Sequence, residues 1–193
     1  MQVIFITITF NTKYYTSLEL KNNIFAIAYR YEWQHRESAH IHGFLWLKDA
    51  PNMDSLDWNN EIEVLNAQKY FDHYVTAWNP WQLQHCANLL HQSAEQDPCL
   101  LNTRSIFAST QTDDYEELVN CVQRHTKFHA SSCLRKKNNV LTCRYGVPWE
   151  LNPTSLLLVD NKGQKIYKPA RNDDRLNIHN ADLLSIWREN FDC

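Results

Sequence analysis

The chain has 193 residues and a mass of 22.9 kDa, with 44% hydrophobic and 21% charged residues, a balance that excludes disorder, collagen-like repeats and coiled coils and suits one domain. The net charge of −3 excludes a uniformly basic nucleic-acid binder but leaves room for a local basic patch. No apolar run approaches the ~18–20 residues of a membrane span, the N-terminal MQVIFITITFNTKYY does not read as a signal peptide, and six scattered cysteines do not make a secreted disulfide scaffold.

In chain order, Val3 to Phe10 is rich in β-branched and aromatic residues and predicts a buried strand. Ile24 to Gln34 predicts a second strand and Ala39 to Leu47 a third; the short polar break His35-Arg36-Glu37-Ser38 makes the pair an antiparallel hairpin. From Asp57 to about Trp78 the spacing of Ile62, Leu65, Tyr70, Tyr74 and Val75 turns helical, and Trp81 to Gln92 suggests another helix. Asp113 with Glu116 forms a capping box for a helix carrying Tyr115, Leu118, Val119 and Val122. Leu156–Val159 and Lys165–Tyr167 read as a hairpin across Asn161-Lys162-Gly163, and Asn180 caps a last helix with Leu183, Leu184, Ile186 and Trp187. The fold class expected is α+β, an antiparallel sheet with helices packed on it.

His40-Ile41-His42 carries the chemistry. On a strand, residues i and i+2 share one face, so two imidazoles project together and can hold a divalent metal if a neighbouring strand adds a third ligand. Glu32 and Gln34 share a face of the preceding strand; either brings an oxygen, which suits Mg²⁺ or Mn²⁺. The bland reading is a structural or half-exposed histidine pair.

The run YRYEWQHRESAHIHGFLWLKDAPNMD resembles the His-hydrophobic-His (HUH) motif region of Helitron transposon replication initiators, often described as the Helitron helicase-like domain. The similarity continues in VNCVQRHTKFHASSCLRKK…LTCRYGVPWEL and IYKPARNDDRLNIHNADLLSIWRENFDC, three blocks in order across residues 24 to 193. The resemblance implies a rolling-circle endonuclease fold with the histidine pair on a central strand, acting on single-stranded DNA in the nucleus. It also implies a metal that polarises the scissile phosphate and a tyrosine that forms a 5′-phosphotyrosine link. His40 and His42 match the family's metal-binding histidines, Gln34 is the preferred third ligand and Glu32 its rival.

The family's nucleophiles, a Tyr-x-x-x-Tyr pair, lie downstream of the segment that resembles LLSIWRENFDC, and so does its helicase domain; both fall beyond Cys193, so activity of the chain alone is not expected. Tyr70 and Tyr74 have the same spacing on one helical face, but their stripe also bears Ile62, Leu65 and Trp78 and reads as core. Tyr14, Tyr15 and Tyr115 have no comparable case. Glu37 stands where the family favours glycine, a departure that predicts a strained or shifted turn, a new ligand, or a solvent-facing carboxylate.

A Cys/His-containing basic insertion spans about 121–149 of this single domain. Its family counterpart resembles a zinc site, matched here by Cys121, His125, Cys133 and Cys143; Phe128 replaces a family cysteine, and His129 or Cys121 is the candidate substitute. Ordinary buried thiols are the competing reading. Arg124, Lys127, Arg135, Lys136, Lys137 and Arg144 occur with no acid between Cys121 and Val147, a local excess that suggests phosphate contact, with a solvated charged loop as the alternative; Arg171 and Asn172 are candidates either to contact DNA or merely to order a turn. Two other functions compete with a rolling-circle initiator: a non-catalytic DNA-binding remnant, and a metal-dependent phosphoesterase that uses water.

Overall fold

The β-branched and aromatic runs near the N-terminus build one sheet. In a computed structural model of the chain, which describes residues 3–9, 24–33, 39–81, 114–129, 131–188 and 191–192, β1 (Val3–Thr9), β2 (Ile24–Trp33) and β3 (Ala39–Leu47) are joined by a short β8 (Phe191–Asp192). The sheet order is β2-β3-β1-β8 and its pairings are antiparallel. β3 is therefore an internal strand, hydrogen-bonded on both sides. The class is α+β, as the alternation of strand-like and helical periods predicts.

Helix α1 (Glu61–Tyr74) begins where Asn60 turns its side chain back on the backbone, its Oδ1 accepting from the N–H of Ile62 at 3.1 Å and of Glu63 at 3.4 Å. Glu63 reciprocates by accepting from Asn60 Nδ2 at 3.0 Å, which ties off the first turn. The helix is shorter than the predicted Asp57–Trp78, and its buried face is not the predicted one. Ile62, Leu65 and Trp78 are exposed, at 71%, 46% and 47%. Val64, Ala67, Tyr70, Phe71 and Tyr74 pack inward instead. The stripe is rotated because the first turn is solvated, and Trp78 lies past the helix end.

Two apolar clusters lie on either side of α1. One gathers Leu47, Leu118, Val119, Leu176 and Leu184 with Tyr70, Tyr74 and Tyr115 at its margin; the other gathers Met53, Ala67 and Leu157 with Phe71 and Tyr167. Helix α2 (Tyr115–Leu118) starts at Asp114 rather than Asp113, and Asp114 pairs with Arg188 instead of capping through its side chain. It continues as a π-helical turn, Val119–Gln123, then leaves the helix at Arg124, whose backbone is extended. The predicted helix over Trp81–Gln92 lies outside the described residues, apart from Trp81.

Downstream, β4 (Leu134–Lys137) and β5 (Val140–Cys143) form a small ribbon, and β6 (Leu156–Val159) and β7 (Lys165–Lys168) form the expected late hairpin. Its turn is held by Asp160 Oδ1, which accepts from Lys162 and Gln164 N–H, both at 2.8 Å, with Gly163 at φ 77°. Helix α3 (Ala181–Trp187) is capped by Asn180, as its sequence predicts, through a 2.8 Å bond from Leu183 N–H. No helix among the described residues is long and apolar enough to cross a membrane.

Candidate metal centre and basic ribbon

The backbone register places the histidine pair on β3 opposite residues of both neighbouring strands. His40 faces Glu32 of β2 and Thr9 of β1; His42 faces Arg30 and Thr7. Directly opposed residues of antiparallel strands share a sheet face, so Glu32, His40 and His42 occupy one face. Gln34, Glu37, Tyr14 and Tyr15 lie outside the described residues.

Tyr70 and Tyr74 sit as core residues do. Their ring centroids are 5.0 Å apart, both pack on the Leu118–Leu184 cluster, and the Tyr70 hydroxyl donates to the Lys48 carbonyl at 2.9 Å. Burial, then the neighbouring Tyr74, raises the Tyr70 phenol well above its ordinary range, the opposite of what a nucleophile needs. Tyr115 is likewise pushed up to about 12 by burial, and its hydroxyl meets His179 Nε2 at 2.9 Å.

The second constellation is a complete quartet. One ligand atom each from His125, His129, Cys133 and Cys143 lie within 4.8 Å of one another, with the histidines half-buried and the cysteines buried. His129 Nδ1 is 3.2 Å from Cys133 Sγ, and His125 Nε2 is 3.6 Å from Cys143 Sγ. Zinc bonds of about 2.0–2.3 Å give tetrahedral edges of roughly 3.3–3.8 Å, so both pairs need little movement to share an ion.

The local chain explains why these four meet. Backbone pairing of Gln123 and His125 with Asn177 and Arg175, at 2.9 and 2.7 Å, fixes His125. Its Nδ1 faces the Thr126 carbonyl at 2.8 Å. A carbonyl only accepts, so Nδ1 is the donor there and Nε2 is the nitrogen turned toward Cys143. Burial, then His125 and Arg175, lowers the pKa of His129 and favours the neutral form a ligand must have. Cys133 and Cys143 stand at the base of the ribbon, where Leu134 pairs with Cys143 and Arg144 N–H donates to the Cys133 carbonyl at 2.8 Å.

Arg175 supplies a test of fit. Its Nε and one Nη are buried without a hydrogen-bond partner, and its ion pair with Asp174 is long, at 3.8 Å. Its charge reaches the quartet at His129, whose pKa it helps lower, so anionic ligands around a bound ion would complement it. The donor set of two imidazoles and two thiols suits Zn²⁺ far better than Mg²⁺ or Mn²⁺. The fourth member of the quartet that the structure brings together is thus His129, not Cys121. Cys121 belongs to the π-helical turn, which ends at Gln123 before the extended backbone of Arg124, so one-turn helical spacing does not join Cys121 to His125.

The basic residues divide into two groups. Arg124 and Arg171 are buried: Arg124 Nε donates to Asp173 at 2.9 Å, while Arg171 donates to the Leu176 carbonyl and stacks on Trp149. The DNA contacts expected of both do not fit this placement, because each guanidinium already serves an internal acceptor. Asn172 likewise exchanges hydrogen bonds with the backbone of Asn79, at 2.6 and 2.8 Å, ordering a turn. Arg135, Lys136, Lys137 and Arg144 are exposed, and half-buried Lys127 lies 4.9 Å from the centre of the Phe128 ring. Arg175 was not legible as part of the site; it sits far from the Cys/His window in sequence and carries no local signal.

The chain matches no protein-family model, no curated protein and no solved structure.

Proposed function

We propose that the chain is a Helitron-like rolling-circle initiator domain of the HUH class, binding single-stranded DNA in the nucleus. It uses Mg²⁺ or Mn²⁺ at His40 and His42, with Gln34 or Glu32 as third ligand. One observation carries the reading: the histidine pair occupies an internal strand of an antiparallel sheet, with Glu32 opposite His40. A metal bound there supplies charge that polarises a phosphate. The protein's own part is to set Glu32, His40 and His42 at opposed and alternate positions of one sheet face by strand register. Zn²⁺ at His125, His129, Cys133 and Cys143 has a separate, structural role.

Strand cleavage needs a nucleophile, and Tyr70 and Tyr74 are taken by the core. Binding is the activity assigned to these residues, and the packing of Tyr70 and Tyr74 supports a reading without an adduct at either tyrosine. The test mixes the protein and a His40→Ala/His42→Ala variant with labelled single-stranded oligonucleotides and Mn²⁺. Mn²⁺-dependent binding, weakened in the variant and without covalent adduct, is expected. A covalent adduct lost in the variant overturns the assignment of Tyr70 and Tyr74 to the core. Cleavage without adduct points to the water-using phosphoesterase. Binding indifferent to both Mn²⁺ and the variant refutes the sheet site.

A further inference from the structure

The ribbon β4–β5 is a poor candidate for folding on its own merits. Each strand has four residues, Leu134 is half-buried, and Val140 and Leu141 are exposed at 59% and 66%. An isolated two-stranded hairpin is marginal in water. Two features hold this one. Its tip is Asn138-Asn139, with φ of 49° and 63°, the left-handed pair that a two-residue turn requires. Its base is the metal quartet, since Cys133 immediately precedes β4 and Cys143 ends β5. An ion held there would clamp the two strands together, where Leu134 is only half-buried.

What the clamp presents outward is basic and apolar together. Arg135, Lys136 and Lys137 are exposed on consecutive positions, and none pairs with an acid among the described residues. The register sets Arg135 opposite Thr142, Lys136 opposite Leu141 and Lys137 opposite Val140. Each cation-bearing position on the outer ribbon thus faces an uncharged residue, and both ribbon faces carry positive charge. At the base, the exposed ring of Tyr145, at 52%, lies 4.6 Å under the Arg144 guanidinium. Cations that track a phosphate backbone beside apolar and aromatic surface that receives unpaired bases are the two components of single-strand binding.

We propose that the β4–β5 ribbon is a metal-clamped arm that binds single-stranded nucleic acid through Arg135, Lys136 and Lys137, and that emptying the His125/His129/Cys133/Cys143 site disables it. The choice of ligand rests on the single-stranded DNA reading above, but the arm is a separate surface from the sheet histidines. The experiment measures fluorescence anisotropy of a labelled oligo-dT with zinc-loaded protein, without added Mn²⁺. It compares Arg135→Glu/Lys136→Glu/Lys137→Glu, Ile62→Lys on the solvated side of α1, and wild-type protein after zinc chelation. The expected result is at least a tenfold loss in the charge-reversal variant with its zinc retained, a similar loss on chelation, and unchanged binding in Ile62→Lys. The salt slope falls by about two units when three phosphate contacts are removed. Equal binding by the charge-reversal variant overturns the arm and leaves the sheet site standing. Binding that survives chelation overturns the clamp. Binding to phosphatidylserine vesicles but not to the oligonucleotide overturns the nucleic-acid assignment.

Discussion

His179 is fully buried at the junction where the exit of α1 meets the entry of α3, and acid should expose its cost. Its backbone exchanges hydrogen bonds with Thr76, at 2.8 and 2.9 Å, its Nδ1 donates to the Asn177 carbonyl at 3.0 Å, and its Nε2 is 2.9 Å from the Tyr115 hydroxyl. Burial lowers its pKa to about 4, against ~6.5 in an unfolded chain. Because the native value is depressed, the stabilisation is fully present above pH ~6.5 and is lost as pH falls toward 4: within that window the unfolded state binds a proton that the native state excludes. At about pH 5, some 1.5 units into the window, the loss is about 2 kcal/mol at ~1.4 kcal/mol per unit. Urea unfolding at about pH 7.5 and about pH 5 measures it, with His179→Gln as reference so that acid loss of metal cancels. Wild type should lose about 2 kcal/mol more than the variant. Parallel losses, or an imidazole titrating near pH 6.5 by NMR, would refute the reasoning.

Three other substitutions check the packing. Arg124→Ala strands the carboxylate of Asp173 in a site where both side chains are 3% exposed, and should cost about 3–5 kcal/mol by denaturant unfolding. Tyr70→Phe removes only the hydrogen bond to the Lys48 carbonyl, so a loss of about 0.5–1.5 kcal/mol with unchanged oligonucleotide binding is expected; loss of binding would contradict the core assignment. Ile62→Lys, on the solvated side of α1, should shift stability by no more than ~0.5 kcal/mol, whereas a shift of several kcal/mol would restore the face predicted from periodicity.

Three strands of the main sheet, β1 to β3, were legible to within a residue because their β-branched and aromatic runs end in polar breaks, whereas the two-residue β8 is too short to leave a pattern; the late hairpin and the Asn180 cap were legible because turn and cap chemistry is local. The α1 face was not, since Ile62 and Leu65 keep helical spacing whether or not the first turn is covered. The His/Cys quartet was legible in three of its four members. Its fourth depends on where the helix stops: at Gln123 the chain leaves the helix, which removes the Cys121–His125 spacing and lets the turn at Thr126–Phe128 bring His129 to Cys133. Arg124 and Arg171 looked like phosphate contacts because a cation's buried partner, here Asp173 or the Leu176 carbonyl, is set by tertiary structure and leaves no mark beside it.

The proposed metal centre underlies everything argued for the basic ribbon, and metal content of the purified protein and its variants tests it most directly. One zinc per chain is expected, kept in Cys121→Ser and lost in both Cys143→Ser and His129→Ala. Zinc lost from Cys121→Ser but retained in His129→Ala would contradict the quartet.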